Sequence, residues 1–296
     1  MPDLAKLPTE ARNPASERID EVPTLEMLRV IHAADQYAVA AVGRELPRIA
    51  AAVDAIAARI ESGGRLFYLG AGTSGRLGVL DASECPPTYN TPPELVQGII
   101  AGGETALRRS VERAEDSPSL GARDLEEAGF SAADVLVGIA ASGRTPYVLG
   151  GLEHARKLGA LTIALTCVPG SPATQAAELA IVPETGPEVV TGSTRMKAGT
   201  ATKLVLNMLS TGALVRLGYV YGNLMVNVQP TNTKLADRAA RIIAAITGLE
   251  YGAAAELLAR AESVKIAVVM QKLGLPREEA EARLRGAHGR LKEALR

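Results

Sequence analysis

Two short apolar runs in this sequence are each followed by a turn rich in glycine and hydroxyl residues, and then by a segment of helical periodicity. The first run, Leu66–Leu69, leads into Gly70–Arg76, and the second, Val135–Ala140, leads into Ala141–Thr145. A strand, such a turn and a helix start together favour phosphate binding, because free backbone N–H groups and hydroxyls converge there. Two such turns predict a phosphorylated small molecule held between strand ends.

Strand and helix patterns alternate through the middle of the chain. Short apolar runs predict buried strands at Leu66–Leu69, Val96–Ile100, Val135–Ala140, Leu161–Leu165 and Leu179–Val182. Helical periodicity covers residues 24–62 (two helices, with Pro47 near the second start), 103–114, 120–128, 147–158, 193–217 and the region from 233 onward. This alternation predicts an α/β fold with a doubly wound, mostly parallel sheet, whose ligand binds outside the carboxyl ends of the strands.

The pattern changes twice along the chain, which predicts three parts. Residues 1–56 are expected to form a polar N-terminal arm followed by helices, and residues 57–222 the phosphate-binding domain. Residues 235–296 are expected to form a small helical subdomain, because glycines there separate short helices and charges become frequent.

Composition excludes several classes of function. The formal net charge is −1 and aromatic residues make up only 3% of the chain, which argues against nucleic acid and anionic membrane as partners. Two cysteines cannot make a disulfide framework, and the first twenty residues contain no apolar signal segment. The apolar stretch Leu204–Val228 is interrupted by polar residues and is expected to be a buried helix and its continuation, so a cytoplasmic protein is predicted.

The candidate ligand-binding residues belong to three segments rich in glycine and hydroxyl groups. They are Gly72, Thr73 and Ser74; Ser142, Gly143, Arg144 and Thr145; and Ser193, Thr194, Arg195 and Lys197. The third segment is a predicted helix start whose hydroxyls, free N–H groups and cations suit an anion, with a solvated basic turn as the alternative. A dinucleotide site is not favoured, because no acidic residue follows the first turn at the expected spacing.

Two glutamates stand in notable positions, although each also has an ordinary structural explanation. Glu84 follows the first turn by about two helical turns and directly precedes Cys85 and the paired prolines Pro86 and Pro87, which commonly end a helix. Cys85 is expected to be a buried filler rather than a nucleophile. Glu115 lies in an acidic run before Ser-Pro, a pattern typical of a solvated helix end.

A catalytic or metal-bound histidine is not expected. The three histidines, His32, His154 and His288, are far apart in the sequence and lack ligand spacing. The same separation argues against a Ser/His/Asp triad.

Taken together, these motifs resemble the N-acetylmuramic acid 6-phosphate etherase family, within the sugar isomerase (SIS) domain group. The resemblance runs nearly end to end, and many long segments in one order make it specific. The matching segments are Thr9–Asp20, Phe67–Tyr89, Ala101–Ser117, Gly138–Val148, Thr191–Thr211 and Gly222–Ala239.

The resemblance implies a flavodoxin-like SIS fold, a homodimer, no cofactor and a sugar phosphate as ligand. It implies cleavage of the lactyl ether at C3 of N-acetylmuramic acid 6-phosphate, giving N-acetylglucosamine 6-phosphate and D-lactate. The family's acid/base glutamates fall on Glu84, as proton donor to lactate, and Glu115, as base at C2. A sugar-phosphate isomerase and a non-catalytic sugar-phosphate sensor are the alternative functions.

Overall fold

Five short apolar strands form one parallel sheet in a computed structural model that describes residues 7–111 and 113–296. The strands are β1 (Leu66–Gly70), β2 (Val96–Ile100), β3 (Val135–Ile139), β4 (Leu161–Leu165) and β5 (Leu179–Ile181). All five predicted strands are confirmed, with differences of one residue at their ends. Every residue of β1, β3 and β4 is buried, because helices cover both faces of a parallel sheet.

The spatial order of the strands is β2-β1-β3-β4-β5, so the direction of winding reverses between β1 and β3. Leu66 of β1 pairs with Val96 of β2 on one side and with Val135 of β3 on the other. In open parallel sheets, ligands bind in the crevice at such a switch point, outside the carboxyl ends of the strands. The two predicted phosphate turns directly follow β1 and β3, so the fold places them side by side there.

Helices flank the sheet and make up the C-terminal part of the chain, which confirms the doubly wound α/β fold. They are α1 (Thr24–Arg44), α2 (Leu46–Glu61), α3 (Gly72–Tyr89), α4 (Gly103–Arg108), α5 (Pro118–Glu127), α6 (Pro146–Leu158), α7 (Pro172–Ala176), α8 (Lys197–Arg216), α9 (Thr233–Thr247), α10 (Tyr251–Ala261), α11 (Val264–Leu273), α12 (Arg277–Gly286) and α13 (Leu291–Ala294). Pro47 lies in the first turn of α2, where its missing N–H has no intrahelical partner to lose.

One predicted helix end was wrong, and one helix continues through residues that commonly end a helix. The helix predicted over residues 103–114 ends at Arg108, and Arg113 has a left-handed φ of +62°, which no α-helix accommodates. In the other direction, α3 continues through Pro86 and Pro87 to Tyr89. It stops there because Asn90 turns left-handed, with a φ of +54°.

The chain divides into two compact units. The first contains the described residues up to Ser83 and those from Glu94 to Ser210, including the whole sheet. The second contains Glu84–Pro93 and Thr211–Arg296. The three-part division expected from sequence, 1–56, 57–222 and 235–296, stays a prediction.

The second unit has an apolar core of its own. Ala239 and Ile243 of α9, Leu257 of α10 and Val268 of α11 are almost fully buried in it. No single helix in the described part of the chain is long and apolar enough to cross a membrane. Helices α9 and α10 together meet these criteria of length and composition, but the angle between them is 109°.

Candidate active site

A cavity of about 400 Å³ lies at the switch point of the sheet, within the first unit. Its lining brings together residues from both predicted turns and from the third segment. The predicted site residues that line it are Gly72, Thr73, Ser74, Glu115, Ser142, Arg144, Thr145 and Thr194. The lining therefore combines hydroxyl groups, one guanidinium and carboxylates, which suits a polar anionic ligand.

Glycines hold the first turn against the start of α3. A Cβ at Gly70 would come 2.7 Å from the amide nitrogen of Gly75, and a Cβ at Gly75 would come 2.6 Å from Cγ1 of Ile100. Gly72 opens the helix with a φ of +52°. The first N–H groups of a helix have no intrahelical acceptor, so those of Thr73 and Ser74 are available to a ligand beside their hydroxyls.

The second turn is fixed by its contact with the loop after β4. Gly143 has a φ of +65°, and a Cβ there would overlap the hydroxyl of Ser171. The carbonyl of Gly143 accepts the amide of Ala173 at 3.0 Å. Gly143 is thus the buried residue of the turn and does not line the cavity, whereas Ser142 and Thr145 of the same turn do.

Glu115 is positioned by the packing of α5 against α6. A Cβ at Gly121 would overlap the carbonyl of Tyr147, and a Cβ at Gly150 would overlap the carbonyl of Pro118, so the two helices touch backbone to backbone. The amide of Tyr147 also donates to the carbonyl of Glu115 at 3.0 Å. The segment before α5 is thereby tied to the start of α6, and the exposed side chain of Glu115 lines the cavity.

The third segment differs from its prediction. Helix α8 begins at Lys197 rather than Ser193, and the buried carboxylate of Glu188 occupies its N-terminus. Oε2 of Glu188 accepts the amide of Lys197 at 3.1 Å, and Oε1 accepts that of Ala198 at 2.9 Å. The carboxylate of Glu188 therefore occupies the N-terminus of α8, where the sequence predicted that a ligand anion would bind.

Lys197 lies outside the cavity lining. It is 4% exposed and contributes to a separate, mainly apolar pocket of about 500 Å³, with Nζ 5.7 Å from the ring centre of Tyr37. Burial lowers the pKa of Lys197, although the nearby carboxylates of Glu188 and Asp35 act to raise it. Ser193 and Arg195 are likewise absent from the cavity lining, so of the third segment's candidates only Thr194 contributes.

Glu84 has an exposed side chain in the C-terminal half of α3 and belongs to the second unit. It is not among the residues that line the cavity, so its assignment as proton donor stays a prediction.

Its neighbour Cys85 is 2% exposed, as expected of a filler. Burial raises the pKa of the other cysteine, Cys167, to about 12.

Glu10 was missed as a site residue. It lines the cavity from the N-terminal arm, which hydrogen bonds anchor to the loop after β5. The side-chain amide of Asn13 donates through Nδ2 to the carbonyl of Pro187 at 3.3 Å, and the hydroxyl of Ser16 donates to the carbonyl of Val189 at 2.7 Å. A signal was available in the sequence Thr9-Glu10-Ala11-Arg12-Asn13-Pro14, with which the matching segment Thr9–Asp20 begins.

Among residues 7–111 and 113–296, no group of three or more His, Cys, Asp or Glu side chains has a geometry that could hold a metal ion. The groups available for chemistry in the cavity are therefore carboxylates, hydroxyls and the guanidinium of Arg144.

Comparison with known proteins identifies the family. Residues 48–156 match the glucokinase regulatory protein N-terminal SIS domain, and residues 126–212 match the SIS domain. A phosphoheptose isomerase from Francisella tularensis shares the fold, with a TM-score of 0.51 and 20% identity over 65% of this chain and 98% of that one.

Two relatives match at much higher identity. The N-acetylmuramic acid 6-phosphate etherase of Aeromonas hydrophila is 58% identical over 288 residues, covering 97% of each chain. That of Vibrio vulnificus is 55% identical over 294 residues, covering 99% of this chain and 98% of its own. With more than half of all residues identical from end to end, the chain belongs to the N-acetylmuramic acid 6-phosphate etherase family.

Proposed function

We propose that this protein is an enzyme that cleaves the lactyl ether at C3 of N-acetylmuramic acid 6-phosphate. The products are N-acetylglucosamine 6-phosphate and D-lactate. The observation that carries this proposal is end-to-end identity with etherases, at 58% and 55%, in a chain whose cavity combines hydroxyl-rich turns with carboxylates.

An alkyl ether resists direct hydrolysis because alkoxide is a poor leaving group. In the open-chain sugar, the C1 aldehyde acidifies the C2 proton and places the C3 ether β to the carbonyl. A base removes the C2 proton, the C2–C3 double bond forms, and the C3–O bond breaks as an acid protonates the departing lactate oxygen. Water then adds at C3 and a proton returns to C2, which restores the sugar.

Glu115 and Glu84 are the proposed base and acid. Glu115 lines the cavity, and its backbone carbonyl accepts a hydrogen bond from the amide of Tyr147 in α6. Glu84 is assigned to lactate by the resemblance of its motif to that of the family. Each proton transfer by a positioned carboxyl group contributes about 10²–10⁴-fold to the rate.

The phosphate is proposed to lie at the start of α3 and the second turn. Thr73 and Ser74 offer hydroxyls beside free helix N–H groups, and Ser142 and Thr145 offer hydroxyls from the neighbouring turn after β3. The start of α8 is a poor alternative, because Glu188 already accepts its amides and would repel a second anion. Anchoring at C6 would hold C2 and C3 near Glu115.

We also propose a cytoplasmic homodimer that acts in peptidoglycan recycling and N-acetylmuramate degradation. Support for self-association comes from α1, where large apolar side chains are exposed: 60% for Leu25, 52% for Leu28 and 66% for Tyr37. The two buried cysteines, which form no disulfide, fit a reducing compartment.

The direct test is incubation of the purified protein with N-acetylmuramic acid 6-phosphate in H₂¹⁸O, with an assay for D-lactate and mass spectrometry of both products. Elimination and addition put ¹⁸O on C3 of the sugar and none in lactate. Label in lactate would contradict the mechanism. An aldose–ketose conversion without lactate would identify an isomerase, and binding without turnover a sensor.

A further inference from the structure

The substrate of the proposed reaction carries two anions, a phosphate at C6 and the carboxylate of the lactyl group at C3. The inference in this subsection rests on that proposed function. Of the described residues that line the cavity, Arg144 alone is positively charged, whereas Glu10, Glu115 and Asp116 are acidic. The question is therefore whether the guanidinium of Arg144 binds the phosphate or the lactyl carboxylate.

Arg144 has a donor that the protein leaves unused. Its Nε–H is buried and has no acceptor among the residues that the structure describes. A buried polar group without a partner costs free energy, and one on a charged side chain costs more. No described residue pairs with the guanidinium of Arg144. Because Arg144 lines a polar cavity, an unpartnered guanidinium there indicates an acceptor brought by the ligand.

The backbone places Arg144 beside the proposed base. Arg144 comes three residues before Tyr147, whose amide donates to the carbonyl of Glu115 at 3.0 Å. The turn that carries the guanidinium and the segment that carries the base are thus joined at one point. Because Glu115 acts at C2, a cation on the adjoining turn suits the substituent on C3 better than the phosphate on C6.

Donor geometry points the same way. The phosphate already has hydroxyls and free helix N–H groups, which suit an anion that accepts bonds from many directions. Among the described residues of the lining, no other cation is available to the lactyl carboxylate. A planar guanidinium matches a carboxylate with two parallel hydrogen bonds.

We propose that Arg144 binds the carboxylate of the lactyl group. This contact distinguishes the substrate of the etherase reaction from the sugar product, because the product retains only the phosphate. The guanidinium holds the leaving group while the C3–O bond breaks. Three carboxylates around the cavity would otherwise repel that group.

The test measures binding without turnover. Reduction of C1 to an alcohol removes the aldehyde, so N-acetylmuramitol 6-phosphate keeps both anions but cannot undergo elimination. N-acetylglucosaminitol 6-phosphate is the matched ligand without the lactyl group. Calorimetric titration of both ligands into the wild type, Arg144→Gln and Arg144→Lys gives the affinities directly, whether or not the protein proves to be an etherase.

We expect Arg144→Gln to weaken binding of the muramitol ligand by about 10- to 100-fold, as for a lost charge-assisted pair, and that of the glucosaminitol ligand by less than about threefold. Arg144→Lys should recover part of the loss, because it restores the charge but not the planar fork. Arg59→Gln is the control, since Arg59 lies on α2 outside the lining and donates to the carbonyl of Ala132.

An equal loss for both ligands would assign Arg144 to the phosphate and overturn the proposal, as would no loss for either. If Arg144→Gln fails to fold, the comparison of the two ligands with Arg144→Lys decides alone: a selective loss supports the carboxylate contact and a uniform loss refutes it. Failure of the proposed function is a separate result, read from the absence of D-lactate with the natural substrate.

Discussion

The carboxylate of Glu188 accepts the amide of Ala198 at 2.9 Å, from a position ten residues earlier in the chain. The same side chain accepts the amide of Lys197 and is 1% exposed. The protein's own carboxylate thereby neutralises the N-terminus of α8, which is why the phosphate is proposed to lie at the start of α3 instead. The loop between β5 and α8 is fixed by the same contact.

Replacing Glu188 should therefore destabilise the fold. Glu188→Ala leaves two buried amides without acceptors and removes a carboxylate that favours the charged form of buried Lys197. We therefore expect a loss of about 2–4 kcal/mol in the free energy of unfolding. Urea denaturation followed by circular dichroism measures it. Glu94→Gln, at an exposed loop position, should stay within about 0.5 kcal/mol; a similarly small effect for Glu188→Ala would contradict the capping role.

Glu115→Gln should remove the proposed base and leave the fold intact, because the side chain is exposed and its backbone bond to Tyr147 is unaffected. We expect kcat to fall by at least about 10²-fold. Exchange of the C2 proton of product in D₂O, followed by NMR, should slow equally. Exchange at the wild-type rate in this variant would assign the C2 base to another group.

Gly143→Ala should damage the second turn. The new methyl group would overlap Ser171 at a φ of +65°, so we expect a loss of about 2–3 kcal/mol in stability and a raised KM, as Ser142 and Thr145 shift. Gly103→Ala is the matched control, with a similar φ of +63° but open space around it, and should lose only about 1 kcal/mol. Equal losses in the two variants would mean that the contact with Ser171 is unimportant.

Glu10→Ala tests the N-terminal arm. If the carboxylate accepts hydrogen bonds from sugar hydroxyls, KM should rise about tenfold with little change in kcat or thermal stability. Steady-state D-lactate release measures both constants. Glu17→Ala, on the exposed part of the arm, should leave them unchanged; equal effects would indicate that the arm acts only as packing.

Asp134 should make stability depend on pH in the acid range. Its carboxylate is buried, which raises the pKa, but hydrogen bonds from Arg65 and Ser131 outweigh burial and lower the pKa below the usual 3.8. A lowered folded-state pKa stabilises the protein above the unfolded value, and the effect is lost as pH falls through the folded value. At pH 7, the free energy of unfolding of the wild type should therefore exceed that of Asp134→Asn by about 2–3 kcal/mol. This difference should shrink below about pH 4. Denaturation at both pH values checks it, and a difference independent of pH would contradict the assignment.

The sequence by itself determined the five strands, the two turns after β1 and β3, and the family. Strands buried on both faces are continuous apolar runs, and turns that need left-handed backbone or close approach carry glycine, so both can be recognised locally. Only the tertiary structure decided which charged groups meet. Glu188 reaches the start of α8, Glu10 reaches the cavity from an arm far away in sequence, and Nε of Arg144 is left without an acceptor among the described residues. These pairings depend on where separate elements pack against each other, a property that no local pattern of residues encodes.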